Sequence, residues 1–168
     1  MCGITGFIEK TEKKIAESNL NLMVQEIKHR GPDSNGIWYD ENNGIGLAHA
    51  RLSILDLTSA GHQPMASYSE RYIISFNGEI YNHLLLRENL KKSGINIIWR
   101  GHSDTETLLM CFEHFGISKT IELVTGMFAI AVWDKQLKEV TLIRDRFGEK
   151  PLYYSKFGDG QDSVFVFA

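Results

Sequence analysis

The strand-like runs of this sequence are joined to one another by short turn clusters rather than separated one by one by helices. Asn42-Asn43-Gly44 lies between the runs Gly36–Tyr39 and Ile45–Leu55, and Lys135–Glu139 separates two later runs. Strands connected by short turns pair antiparallel, whereas a parallel sheet needs a longer, usually helical, crossover. The sequence therefore predicts an α+β architecture of mainly antiparallel sheets with helices packed on their outer faces.

Apolar residues at helical spacing and capping signals predict the helices between these strand groups. The predicted helices are Lys13–His29, His83–Lys92, a third from a capping box at Ser103–Glu106 to Gly116, and a short one ending at Gly126. The remaining strand-like runs are Cys2–Ile8, Tyr72–Phe76, Met127–Asp134, Val140–Asp145, Leu152–Ser155 and Val164–Ala168, with a turn cluster at Gly158–Ser163 before the last. No linker or repeat divides the chain, so we expect one domain.

Composition excludes several classes of function. The 168 residues are 43% hydrophobic and carry a net charge of −3, which favours neither nucleic acid nor an acidic membrane surface as a partner. We find no membrane-spanning run and no signal peptide, so we expect a cytoplasmic protein. No glycine-rich phosphate loop and no metal-ligand spacing of cysteines or histidines occurs, and we therefore expect no cofactor and no metal in this segment.

Cys2 is the first candidate for chemistry. Removal of Met1 would leave a thiol and a free α-amino group on the same residue, and an α-amino pKa of about 7.7–8.0 suits a base for that thiol. The alternative is a chain that begins Met-Cys without functional consequence. Cys111 lies in an apolar stretch and is expected to be a small buried side chain.

Asn77-Gly78 and Arg51 are candidates with structural alternatives. After an apolar strand, an asparagine amide and a glycine N–H can form an oxyanion hole, but Asn-Gly is also an ordinary turn sequence. Arg51 interrupts an apolar run, so its guanidinium needs either a carboxylate ligand or an ion pair, for which Asp56 is the nearest candidate.

Asp104 and Glu79 are acidic residues with the same ambiguity. Asp104 opens a predicted helix, where the helix dipole favours a carboxylate, and it can equally face an ammonium group in a pocket. Glu79 follows the candidate oxyanion hole directly. Each residue taken alone leaves its role open.

Six segments taken together carry a resemblance to a known family. They are MCGITGF at 1–7, HRGPDS at 29–34, LAHARLSILD at 47–56, FNGEIYN at 76–82, GHSDTE at 101–106 and RDRFG at 144–148. In this order, over essentially the whole chain, they resemble the glutaminase half of glutamine-hydrolysing asparagine synthetases, within the class II (N-terminal nucleophile, Ntn) glutamine amidotransferases.

The resemblance implies a four-layer α-β-β-α Ntn-hydrolase sandwich and hydrolysis of glutamine to glutamate and ammonia. By this likeness Cys2 attacks the side-chain amide and forms a γ-glutamyl thioester. The other implied roles are an oxyanion hole from Asn77 and Gly78, a carboxylate pocket from Arg51 with backbone groups of Leu52 and Ile54, and an ammonium site from Glu79 and Asp104.

The resemblance also implies a partner domain. In the family a following ATP-dependent synthetase domain amidates aspartate to asparagine, so ATP and Mg are expected there and not in this segment. Because the chain stops within the apolar run VFVFA, we expect that it was cut from a longer polypeptide. Open alternatives are another carboxylate acceptor such as a sugar acid in polysaccharide biosynthesis, a catalytically silent interaction domain, and a redox or metal protein. A homodimer is also left open.

Overall fold

Two antiparallel sheets form the centre of the structure, a computed structural model that describes residues 1–160 and 163–168. The first sheet has the order β2 (Ser34–Asp40), β3 (Ile45–Arg51), β1 (Gly3–Ile8), β9 (Val164–Phe167) and β8 (Tyr154–Phe157). The second has the order β4 (Met65–Ala66), β5 (Tyr72–Ile80), β6 (Gly126–Asp134) and β7 (Glu139–Arg144). Every strand pairing in the described residues is antiparallel, as the turn-linked runs predict.

Helices cover the outer face of each sheet. The helix α1 (Lys13–Glu26) buries Ala16, Leu20 and Val24, which are spaced four residues apart, against apolar side chains of the first sheet. The second sheet is covered by α2 (His83–Lys92), α3 (Asp104–Phe115) and α4 (Ile117–Leu123). Their buried side chains share one core with the strands β5 and β6.

The inner faces of the two sheets pack against each other. Leu47 of the first sheet and Ile73 and Trp133 of the second belong to this inner core. Side chains alternate along β5, so that Ile74 points to the helices while Ile73 points to the other sheet. The layers are therefore helix, sheet, sheet and helix, and the expected four-layer sandwich is confirmed.

The predicted turns and helix ends hold with small shifts. Gly44 adopts a φ of +68° in the β2–β3 turn, and its N–H donates to the Asp40 carbonyl at 2.7 Å. The helix predicted over Lys13–His29 ends as an α-helix at Glu26 and continues as a short 3-10 turn. The turn cluster Gly158–Ser163 includes positions 161 and 162, which lie outside the described residues.

Two strand predictions need correction near Arg51 and Asn77. The run Ile45–Leu55 is a strand only to Arg51, because beyond it the Ser53 N–H donates to the Asp33 carboxylate at 2.7 Å rather than to a strand. The run Tyr72–Phe76 continues to Ile80. Asn77-Gly78 is therefore neither a turn nor the end of a strand.

Gly78 explains why β5 continues. Gly78 pairs with Phe128 of β6, and a Cβ on Gly78 would collide with the Met127 carbonyl oxygen. The missing side chain lets the β6 backbone run close alongside. An Asn-Gly pair forms a turn only where its backbone is not paired with a neighbouring strand.

The capping box at the start of α3 is only half formed. Ser103 is the N-cap, and its Oγ accepts from the Glu106 N–H at 3.2 Å. The Glu106 carboxylate accepts instead from the N–H groups of Arg100 and Gly101, at 2.7 and 3.1 Å. Glu106 thus fixes the loop that leads into the helix rather than the first turn of the helix itself.

Candidate active site

One open cleft collects all the residues predicted for the site. The predicted residues that line it are Cys2, Arg51, Leu52, Ile54, Asn77, Gly78, Glu79 and Asp104. They come from the start of β1, the end of β3 with the loop after it, the middle of β5 and the first turn of α3.

Cys2 is half-buried directly before β1, and its thiol is free. The Leu52 N–H donates to Cys2 Sγ at 3.3 Å, and the Leu52 carbonyl lies 3.4 Å from the same sulfur. Arg30 Nε donates to the Cys2 carbonyl at 3.2 Å. The sulfur and the main chain of Cys2 are both held, so the residue is fixed at the wall of the cleft.

The edge of β5 that faces away from β6 presents one unoccupied donor. Phe76 N–H donates to the Gln63 side chain and Ile80 N–H donates to Asp104, so even-numbered residues of β5 direct their backbone groups to this edge. Phe128, opposite Gly78, directs its own N–H and C=O to Asp145. The Gly78 N–H therefore also faces the free edge, and it donates to no other described residue.

Asn77 supplies a second donor beside Gly78. The residue is 4% exposed, but its amide atoms are not among the fully buried unpaired groups of the described residues. The amide forms no hydrogen bond with another described residue, and it lines the open cleft, where it is available to a ligand. Two donors from adjacent residues thus line the same cleft as the Cys2 thiol.

Arg51 is held by backbone carbonyls and not by an ion pair. Its Nη1 donates to the Thr58 carbonyl at 3.0 Å and its Nη2 to the Asp56 carbonyl. A Cβ at Gly61 would overlap the guanidinium, which would have to shift from this position. A guanidinium has five N–H donors, and those left over are available to a carboxylate in the cleft.

The Asp56 carboxylate has other partners than Arg51, so the alternative of an Arg51–Asp56 ion pair is wrong. It accepts from the Thr58 N–H and hydroxyl and from the His102 N–H. The hydrogen bond from the Thr58 side chain is the main cause that lowers the pKa of Asp56 to about 2. The carboxylate stabilises the loop and leaves the guanidinium free of a counter-ion.

Asp104 and Glu79 bring carboxyl groups to the same cleft. Asp104 is buried, and burial raises the pKa of its carboxyl above the usual value, although the hydrogen bonds from Ile80 and Thr105 oppose the shift. Those N–H groups lie 2.8 and 2.9 Å from its two oxygens. A carboxylate has about four acceptor positions, so Asp104 can accept further bonds from a cation.

Several residues of the site were not found by sequence reasoning. Gln63 and Lys150 both line the cleft, and each is almost completely buried. Lys150 Nζ lies 2.8 Å from Met1 Sδ. Nothing in the spacing marks Gln63, whereas His49 was detectable as a polar residue in the apolar run that contains Arg51.

His49 lies behind the cleft, between the sheets. Its Nε2 is 3.0 Å from the Phe76 carbonyl, and its Nδ1 is buried without a partner. Since the carbonyl can only accept, Nε2 carries the proton. Burial lowers the pKa of His49 to about 4, so the ring is neutral at physiological pH.

The described residues contain no group of three or more His, Cys, Asp or Glu side chains arranged to hold a metal ion. Nor does any helix in residues 1–160 or 163–168 combine the length and apolarity needed to cross a membrane.

A scan of protein families identifies the chain. The model of the glutamine amidotransferase domain matches residues 1–168. The chain belongs to this family, and it is a catalytic domain of the glutamine amidotransferase type.

The curated relatives are longer proteins. Asparagine synthetase [glutamine-hydrolyzing] 1 of Bacillus subtilis is 41% identical over 95% of this chain and 25% of its own length. Putative asparagine synthetase [glutamine-hydrolyzing] 2 of Methanocaldococcus jannaschii is 38% identical over 98% of this chain and 33% of its own length. The chain thus spans a quarter to a third of these relatives.

A solved structure supports the fold independently. The glutamine phosphoribosylpyrophosphate amidotransferase of B. subtilis superposes on 99% of this chain and 41% of its own, with a TM-score of 0.73 and 18% sequence identity. At this identity the likeness concerns the fold alone.

Proposed function

We propose that the cleft hydrolyses the side-chain amide of glutamine to glutamate and ammonia through a γ-glutamyl thioester on Cys2. One observation carries the proposal: a thiol, two unpaired hydrogen-bond donors, a guanidinium and two carboxylates from four separate segments line the same cleft. Glutamine is complementary to this set, because it joins an amide to a zwitterionic head group. Family membership supports the same reaction.

The reaction begins with proton transfer from the Cys2 thiol to its own α-amino group, which removal of Met1 makes available. The sulfur attacks the amide carbon, and the negative charge that develops on the oxygen is stabilised by the Asn77 amide and the Gly78 N–H. The carbon–nitrogen bond breaks as the α-ammonium group returns the proton to the nitrogen, so ammonia leaves. Water then hydrolyses the thioester and regenerates the thiol.

The opposite end of the cleft binds the head group of glutamine. Arg51 already uses two of its donors on backbone carbonyls, and the remaining ones pair with the α-carboxylate. The proposal also assigns backbone groups of Leu52 and Ile54 to this pocket, although in this structure the Leu52 N–H and carbonyl contact Cys2 Sγ. Asp104 and Glu79 bind the α-ammonium group, and its positive charge favours the ionised carboxylate that burial of Asp104 disfavours.

The wider role proposed for the protein lies outside this chain. The names of the relatives and their greater length support a following synthetase domain that uses ATP and Mg to amidate aspartate with the released ammonia. The same names favour aspartate over a sugar acid as the acceptor. We also propose a cytoplasmic location, no cofactor within residues 1–168, and no nucleic-acid or membrane partner. A homodimer remains an option within this proposal.

The test combines an intact mass spectrum with an assay of glutamate release. Incubation with 6-diazo-5-oxo-norleucine, a glutamine-like electrophile, is expected to add one adduct to chains that have lost Met1, and excess glutamine is expected to block it. Cys2→Ala is expected to abolish both labelling and glutamate release, because no other group in the cleft is a comparable nucleophile. Cys111→Ala is the matched control, since that thiol is buried on α3 and burial raises its pKa to about 12.

Two results would contradict the proposal. If Cys2→Ala released glutamate at the rate of the unsubstituted chain, the proposed mechanism through a thioester on Cys2 would be excluded. Absence of both label and activity in chains without Met1 would favour the silent interaction domain.

A further inference from the structure

Two buried polar side chains outside the assigned roles converge on the backbone of one residue of β5, Phe76. Gln63 Oε1 accepts from the Phe76 N–H at 2.7 Å, and His49 Nε2 donates to the Phe76 carbonyl at 3.0 Å. Gln63 is 6% exposed and His49 is fully buried. The backbone donor and acceptor of Phe76 on this edge are thus both occupied by side chains.

Phe76 lies just beyond the part of β5 that is paired with β4. The strand β4 pairs only with Ile73 and Ile74, so beyond them β6 alone holds β5 by strand pairing. Phe76 directly precedes Asn77 and lies two residues before Gly78 on the same edge. A tilt of β5 at Phe76 would therefore turn both proposed oxyanion donors.

The two side chains connect this segment to different layers of the molecule. His49 belongs to β3 of the first sheet. Gln63 Nε2 donates to Thr105 Oγ1 at 3.4 Å, and Thr105 follows Asp104 in the first turn of α3. Phe76 is therefore fixed against the other sheet and against the helix that carries the proposed ammonium site.

We propose that His49 and Gln63 are positioning residues that fix the direction of the Asn77 amide and the Gly78 N–H. The inference rests on the proposed function. Neither residue needs to touch glutamine for this role, although Gln63 lines the cleft. Displacing a catalytic group by about 1 Å can lower a rate about 100-fold, so such positioning has a large effect.

The free-energy cost of burying an unpaired polar atom of His49 supports a positioning role over a role in core packing alone. Its Nδ1 is buried without a hydrogen bond, which an apolar ring of similar size would avoid. The burial that lowers its pKa also keeps the ring neutral, and only the Nε2–H tautomer can donate to a carbonyl. A core position that only needed filling would be better served by phenylalanine.

The experiment removes each contact and restores that of His49. Gln63→Met and His49→Phe delete the polar atoms at similar volume, and His49→Gln returns an N–H donor. Ser67→Ala is the matched control, because Ser67 Oγ is buried and also accepts from an N–H of β5, that of Tyr72, away from the cleft. The rate constant kcat is expressed per thiol titrated by 6-diazo-5-oxo-norleucine, so that misfolded chains do not count.

We expect kcat of Gln63→Met and His49→Phe to fall about 10- to 100-fold while KM for glutamine changes less than about threefold. His49→Gln is expected to recover most of the loss. The double variant is expected to lose less than the product of the two single losses, because both contacts hold the backbone of the same residue, Phe76. Ser67→Ala is expected to lower stability without changing kcat per titrated thiol.

Distinct outcomes contradict the inference and the proposed function. If the unsubstituted chain is active and Gln63→Met and His49→Phe keep its kcat, only the inference is wrong. It is also wrong if KM rises as kcat falls, or if Ser67→Ala loses as much kcat as they do. If the unsubstituted chain neither labels nor hydrolyses glutamine, the proposed function fails and the inference fails with it.

Discussion

The two ends of the cleft are built in different ways. At the reacting end, Asn77 and Gly78 lie within the paired strand β5, and Cys2 directly precedes β1. At the other end, the head-group loop, residues 52–61, has a 3-10 turn at Ser59–Gly61 as its only regular structure. The reacting end is thus built on strands, whereas the recognition end combines residues of regular elements, such as Arg51, with a loop held by side chains.

The difference follows from what each end has to do. Stabilising a developing charge requires donors that do not reorganise during the reaction, and a sheet provides such fixed directions. Binding a carboxylate requires a charge and several donors, which a loop supplies with backbone groups. Leu57 in the head-group loop is 78% exposed, so apolar burial contributes little to holding the loop.

The largest effect is expected from Asn77→Ala at the reacting end. Loss of one oxyanion donor is expected to lower kcat about 10²- to 10³-fold, equivalent to about 2.7–4 kcal/mol, with little change in KM. Steady-state hydrolysis of glutamine measures both constants. Ser75→Ala on the same strand is the control, because Ser75 Oγ donates to the Ala48 carbonyl between the sheets. Equal kcat losses in the two variants would contradict a specific role for Asn77.

Acid is expected to destabilise the molecule through His49, behind the reacting end. Its pKa is about 4 in the folded chain against 6.5 for the free side chain, mainly because of burial, with the charges of Arg51 and His62 adding to the shift. The unfolded chain therefore binds the proton first. As pH falls from about 7 to 4, the free energy of unfolding is expected to fall by about 3 kcal/mol.

Urea unfolding of the unsubstituted chain and of His49→Gln across this pH range measures the effect. The variant is expected to show the shallower dependence. The carboxyl groups of Asp56 and Asp145, with pKa values of about 2 in the folded chain against 3.8 for the free side chain, also begin to lower stability near pH 4, but equally in both proteins. The difference between the two curves therefore reports on His49. Parallel curves for the two proteins would show that His49 is not the group responsible.

Arg51→Lys is expected to raise KM for glutamine about 10- to 100-fold, with a smaller change in kcat. Lysine keeps the charge but loses the fork that contacts two carbonyls and a carboxylate together. Asp56→Asn is the control, since the Asp56 carboxylate bonds to Thr58 and His102. A KM increase as large in Asp56→Asn would indicate that the charge of Asp56 matters at the head-group end.

Ile54→Ala is expected to have the smallest effect. The side chain is 67% exposed, and the proposal assigns a role only to its backbone. The free energy of unfolding is expected to change by at most about 0.5 kcal/mol, and KM by less than about twofold. Ile74→Ala, at a fully buried position of β5, is expected to cost about 2–5 kcal/mol by the same urea measurement. Similar losses at both positions would contradict the contrast between loop and strand.

The order of layers and the residues of the cleft were predictable from the sequence for separate reasons. Turn clusters between apolar runs indicate antiparallel pairing, and helical spacing in α1 indicates an outer helix. The residues of the cleft were found because each polar group stands next to an apolar strand or opens a helix. Their convergence on one cleft came from the resemblance, since spacing does not encode distances between segments.

The rest depends on contacts between distant segments. Nothing in the sequence near Asn77-Gly78 shows that β6 pairs alongside it, so the strand was predicted to end at Phe76 and a turn was left open as an alternative. Gln63 and Phe76 are 13 positions apart, and their hydrogen bond depends on the path of the loop between β3 and β4. Arg51 was expected to need an acidic partner, whereas carbonyl oxygens of a folded-back loop satisfy it equally well.

The occupied edge of β5 also bears on self-association. An open sheet edge invites a strand from a second copy, because it offers a row of alternating donors and acceptors. Here the side chains of Gln63, His49 and Asp104 already fill the positions on both sides of Gly78. Among the described residues an incoming strand would find the N–H groups of Phe76 and Ile80 already occupied, so this stretch of the edge is better suited to one ligand atom at Gly78 than to pairing with a second strand.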